Sequence, residues 1–108
     1  MKKNEQPING LVSDEKIQQW KNQHRKVYSI TIEDGENIVG YFKRPDMATL
    51  SAVNAISKTD EVKAANILFD NCWLGGSELV REDAVVKMGM MSKLNDMMTL
   101  SGSALKNL

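Results

Sequence analysis

The sequence predicts an α+β fold: a short N-terminal helix and a β-hairpin, followed by a three-helix C-terminal bundle. Three observations lead there. Tyr28, Ile30 and Ile32 alternate with polar residues up to a glycine turn at Asp34-Gly35, and an apolar run returns from Ile38 to Phe42. Beyond Pro45, apolar residues recur at helical spacing. Capping residues then break the remainder into three segments.

The chain has 108 residues and 42% hydrophobic content, enough for one modest core. The expected division is a flexible arm over 1–26, one α+β domain over 27–98 and a frayed tail over 99–108. Within the arm, Ser13 caps a helix over about 14–23, with Asp14 and Glu15 in its first turn. Its apolar stripe is thin, so Trp20 either docks on the domain or waits for a partner. Val27 to Arg44 forms the hairpin. A two-residue turn would set Ile30 opposite Val39 and Tyr28 opposite Tyr41. A four-residue turn would set Ile32 opposite Val39 and Ile30 opposite Tyr41. Either way Ile30 and Tyr41 share one apolar face.

Asp46 caps a helix over about 47–58 that carries Met47, Leu50, Val53 and Ile56. Thr59 caps the next, over about 60–74, with Val62, Ala65, Leu68, Phe69, Cys72 and Trp73 as its stripe. Gly75-Gly76 reads as its stop, with Gly75 in the left-handed conformation. Residues 77–81 are a link. Glu82 or Asp83 opens the last helix, with Val85, Met88, Met91 or Ser92, Asn95 and Met98 on its core side. Trp73, Cys72, Phe69, Leu68, Ile30 and Tyr41 are the expected core.

The chemical inventory is thin. Fourteen basic and fourteen acidic residues cancel, which gives no long-range pull toward nucleic acid or anionic lipid and removes one barrier to a homo-oligomer. One cysteine excludes an intrachain disulfide and a cysteine-based zinc cluster. No run approaches a membrane span, and no apolar segment follows Lys2-Lys3 to make a signal peptide. His24 stands alone in an exposed basic stretch with no second catalytic group. Cys72, at a helix C-terminus on an apolar face, reads as a core thiol. No calcium or phosphate loop is present, and the expected set of catalytic, cofactor and metal sites is empty. Five methionines, Met88, Met90, Met91, Met97 and Met98, crowd eleven residues. Met90 and Met97 point away from the expected seam. With Trp20, these methionines are the candidate partner-binding residues. The alternative is a small regulatory or nucleic-acid-binding module using Lys16, Lys21, Arg25, Lys26, Lys43 and Arg44 beside Tyr28, Tyr41 and Phe42.

One family joins these pieces. An apolar strand ends in a basic residue and proline, Tyr41-Phe42-Lys43-Arg44-Pro45. An alanine- and leucine-bearing helix follows from Met47 to Lys58. A second helix ends in Asn71-Cys72-Trp73-Leu74-Gly75-Gly76, and an acidic link leads to the last helix, Glu82 to Met98. Over about residues 28–98 this pattern resembles the tail assembly chaperones of long-tailed bacteriophages. The resemblance implies a non-enzymatic adaptor in the bacterial host cytoplasm. It would bind the tape-measure protein, with the tail-tube protein as a second partner, and have no cofactor. It also implies that some relatives make a longer frameshifted product.

Overall fold

The computed structural model describes the backbone of residues 8–106 and the side chains of residues 8–96. In chain order the elements are β1 (Ile8–Asn9), α1 (Asp14–Gln23), β2 (Val27–Glu33), β3 (Asn37–Lys43), α2 (Met47–Ser57), α3 (Glu61–Cys72), β4 (Trp73–Gly76), α4 (Leu79–Glu82) and α5 (Ala84–Lys106). The α+β class holds. Helix α1 starts as expected, with the Lys16 N–H donating to Ser13 Oγ at 3.2 Å. Helix α2 starts where the Thr49 N–H donates to Asp46 Oδ1 at 2.8 Å. That bond to the ionised form lowers the Asp46 pKa.

Strand β3 is the centre of the sheet. It pairs antiparallel with β2 along one side. On the other side it pairs with β1 in parallel near its start and with β4 antiparallel near its end. The hairpin register lies between the two expected ones. Glu33 pairs with Asn37, Ile32 with Ile38 and Ile30 with Gly40, so the connection is Asp34-Gly35-Glu36, with Gly35 at φ 75°. The shift by one residue changes the face of every β3 side chain. Ile30, Ile38 and Phe42 enter the main core, whereas Val39 and Tyr41 join Trp20 on the opposite face. Ile30 and Tyr41 are both buried, as expected, but not together. The sequence misleads here because Ile38-Val39-Gly40-Tyr41-Phe42 is apolar at nearly every position, the signature of a strand buried on both faces.

The described part of the arm, from Ile8 onward, is therefore part of the fold. Trp20 is 7% exposed, with its ring centroid 5.5 Å from that of Tyr41. Lys16 Nζ sits 5.6 Å above the same indole. His24 ends α1, half-buried, and its N–H donates to the Trp20 carbonyl at 2.9 Å.

Segment 71–76 also departs from expectation. Helix α3 ends at Cys72, and Trp73 already has extended geometry. Trp73 to Gly76 then forms β4 instead of a glycine stop. The N-cap of α3 is Asp60, whose Oδ1 accepts from the Lys63 N–H at 3.0 Å, and not Thr59. The positive φ, 131°, belongs to Gly76, which lies opposite Gly40. A Cβ on Gly76 would stand 2.5 Å from the Val39 carbonyl oxygen and 2.9 Å from Gly40 Cα. Two backbones meet there, and only glycine permits it.

The three long helices match the expected bundle only loosely. Helix α2 packs chiefly on α3, while α5 lies across the sheet against β2 and is preceded by the short α4 within the expected link. Asp83 Oδ1 starts α5, accepting from Val85 and Val86 N–H. The core face of α5 is Val86, Met90 and Leu94, spaced by four. Of the expected face, Val85 and Met88 are turned outward, 72% and 68% exposed, while Met91 is half-buried against the core. Gly89 of α5 faces Ile32 of β2. A Cβ there would come 2.7 Å from Ile32 Cδ1, so the glycine lets α5 settle onto β2. The backbone of α5 stays helical to Lys106, through most of the expected tail.

Candidate partner-binding surface

Cys72 is fully buried in the main core, and burial pushes its thiol pKa up to about 11. Nearby Lys43 pulls it down and Asp46 pushes it up, but desolvation is the larger cause. Native protein at pH 8 is therefore expected to resist alkylation. Thiol labelling with and without denaturant checks this, and fast labelling of folded protein would contradict it. The raised pKa also means that the folded state holds this proton more tightly than the unfolded one. Its contribution to stability is present below pH ~9 and is lost progressively toward pH ~11.

Phe42, Phe69 and Trp73 form an aromatic triple beside the thiol. Phe69 stacks on Trp73 with centroids 5.7 Å apart at 17°, and Phe42 meets each edge-on at 5.6 Å. Trp73 itself is only half-buried. Leu68 is buried beside the triple. Among the described residues no buried side-chain polar atom lacks a partner, and no group of three acidic, His or Cys side chains could hold a metal ion.

The candidate methionines do not form one surface. Met90 is 0% exposed and fills the core between α5 and the sheet. It is displaced from the expected surface because the helix phase is one residue away from the expected one. Trp20 is likewise covered. Met88 is exposed, and Met91 is half-buried at the edge of the core. The Met97 and Met98 side chains lie outside the described residues. The stacking set of the nucleic-acid alternative is also dispersed. Tyr41 and Phe42 are buried, and the Tyr28 hydroxyl accepts from Arg44 Nε at 2.9 Å.

Sequence reading missed a groove where α2, α3 and α5 converge. It has a volume of about 280 Å³, and Val53, Ala65, Leu68, Met91 and Leu94 form its apolar floor and walls. Ser57, Glu61 and Asn95 stand among the lining residues, with Glu61 the only charged one. One wall belongs to α2, which carries no charged residue over its eleven positions and buries none of them fully. Met47, at its start, is 76% exposed. A helix without charge normally lies inside a protein, so the uncharged run Met47–Ser57 was the signal available in the sequence, and its surface position emerges only in the structure. No helix among the described residues is long and apolar enough to cross a membrane.

Comparison with protein-family models, curated proteins and solved structures finds no match to this chain.

Proposed function

We propose that this protein is a phage tail assembly chaperone, a non-enzymatic adaptor of the host cytoplasm that binds the tape-measure protein and supports tail-tube assembly. The observation that carries the reading is the uncharged helix α2 at the surface, walling an apolar groove against α3 and α5. Such a groove suits the apolar stripe of a client helix, which buries its i, i+3, i+4 and i+7 side chains there. The sequence resemblance supplies the client. The described chemistry offers no competing use for the site.

Co-expression with the tape-measure protein of the same gene cluster tests the proposal. The two proteins are expected to co-purify, with the client becoming more soluble. Failure of both would sink it. The groove is then separated from the outer face of α5 by two variants. Ala65→Arg, in the groove, is expected to reduce client recovery about tenfold, the effect of losing roughly 1.4 kcal/mol of binding. Met88→Lys, on the exposed face, is expected to leave it within twofold. The reverse result would move the client to the exposed methionine face.

A further inference from the structure

We infer that a second copy of this chain pairs with the open edge of β2, antiparallel and centred on Ile30, to make a two-fold symmetric dimer with a continuous sheet. The inference goes beyond the adaptor reading and needs no client.

Among the described residues β2 pairs only with β3, while the other side of β3 is occupied by β1 and β4. Strand β2 is thus the long free edge of the sheet. Native proteins blunt such edges with proline, lysine, a bulge or a covering strand. Val27-Tyr28-Ser29-Ile30-Thr31-Ile32-Glu33 contains no proline, lysine or glycine. Its register with β3 runs unbroken from Val27 to Glu33, and the sheet's irregularity falls between β3 and β4. A regular, β-branched edge of this kind is ready to pair.

Charge selects the occupant. Arg25 and Lys26 lie at one end of the strand, and Glu33 and Asp34 at the other, all four exposed. The strand's seven residues span about 23 Å. An antiparallel second copy brings the basic end of each strand to the acidic end of its partner, twice over. A parallel copy would set like charges side by side.

Symmetry selects the register. A two-fold axis perpendicular to the sheet keeps both helical layers on one face, so opposed residues must have the same parity. With Ile30 opposite its own copy, Ser29 meets Thr31 and Tyr28 meets Ile32. These are hydroxyl–hydroxyl and aromatic–β-branched pairs of the kind that stabilise neighbouring strands. Lys26 then lies opposite Asp34. Sliding by one residue along each strand sets Lys26 against Ile32 or against Glu36, and in the latter case Tyr28 against Asp34. The Ser29-centred register also pairs Arg25 with Glu33 and Tyr28 with Ile30, but it leaves Lys26 beside Ile32 and Asp34 beside His24, so charge reversal at Lys26 and Asp34 tells it from the Ile30-centred one. The interface is small, so the dimer is expected to be weak and salt-sensitive.

Sedimentation over a concentration series at low salt provides the test. The wild-type chain is expected to form a dimer. Lys26→Glu or Asp34→Lys alone should weaken it about tenfold, since each turns both ion pairs into repulsions. The double variant K26E/D34K restores opposite charges and should recover it. Both residues are exposed and outside the strand, so circular dichroism should show the fold intact. Amide exchange at Ser29 and Thr31, whose N–H groups face the free edge, is expected to slow as concentration rises. A monomer at every concentration overturns the inference. So does a dimer that ignores the single reversals, or a double variant that does not recover.

Discussion

Phe42→Ala is expected to remove about 3–5 kcal/mol of stability, read from urea unfolding followed by tryptophan fluorescence. Phe42 is 0% exposed and lies on the central strand. Its ring meets Phe69 and Trp73 edge-on, so truncation leaves a cavity and also breaks two aromatic contacts. Strands β2 and β4 flank it in the register, pairing with it through Tyr28 and Trp73. Collapse into the cavity would have to shift both. A domain of this size has on the order of 5–15 kcal/mol in total, so much of the variant should be unfolded at modest denaturant. A loss below about 1 kcal/mol would mean that the aromatic triple is not the centre of the core.

Gly76→Ala is the second large effect, expected to cost about 2–4 kcal/mol through backbone strain and forced separation of two chains. At φ 131° an L side chain is strained wherever it sits. The added Cβ would also stand 2.5 Å from the Val39 carbonyl oxygen, an atom that accepts the Ser77 N–H at 3.0 Å. Relief requires β4 to lift from β3, and that hydrogen bond then opens. Gly35→Ala is the control for φ alone, because a Cβ there meets nothing within 4 Å at φ 75°. It is expected to cost about 1 kcal/mol in the same urea experiment. Equal losses in the two variants would show that the close approach at Gly76 contributes nothing.

Local signals were legible wherever one residue type had one use. Ser13 and Asp46 start helices because their side chains accept backbone N–H groups, whatever the tertiary fold. Asp34-Gly35 marks a turn for the same local reason. The losses come where a pattern served two geometries. Strand β3 is apolar on both faces, so alternation cannot choose its parity, and Val39 and Tyr41 lie on the face opposite Ile30. Helix α5 offers one stripe through Val85 and Met88 and another through Val86, Met90 and Leu94. The packing of α5 on β2, where Gly89 sits against Ile32, turns the second stripe inward, and that contact is remote in sequence. Gly75-Gly76 can stop a helix or admit a neighbouring backbone, and the choice depends on Gly40, remote in sequence. The groove was hidden for a related reason, since it needs the relative placement of three helices.

The crowding of partners around β3 has a consequence for how the chain is made. Synthesis delivers β1, β2 and β3 before the helices that cover their core face. The sheet they form carries Ile30, Ile38 and Phe42 bare on one side. Their covers, Phe69 and Cys72 on α3 and Val86, Met90 and Leu94 on α5, are translated afterwards. Until α3 and α5 have been translated, Ile30, Ile38 and Phe42 have no cover of their own and depend on the rest of the chain to arrive.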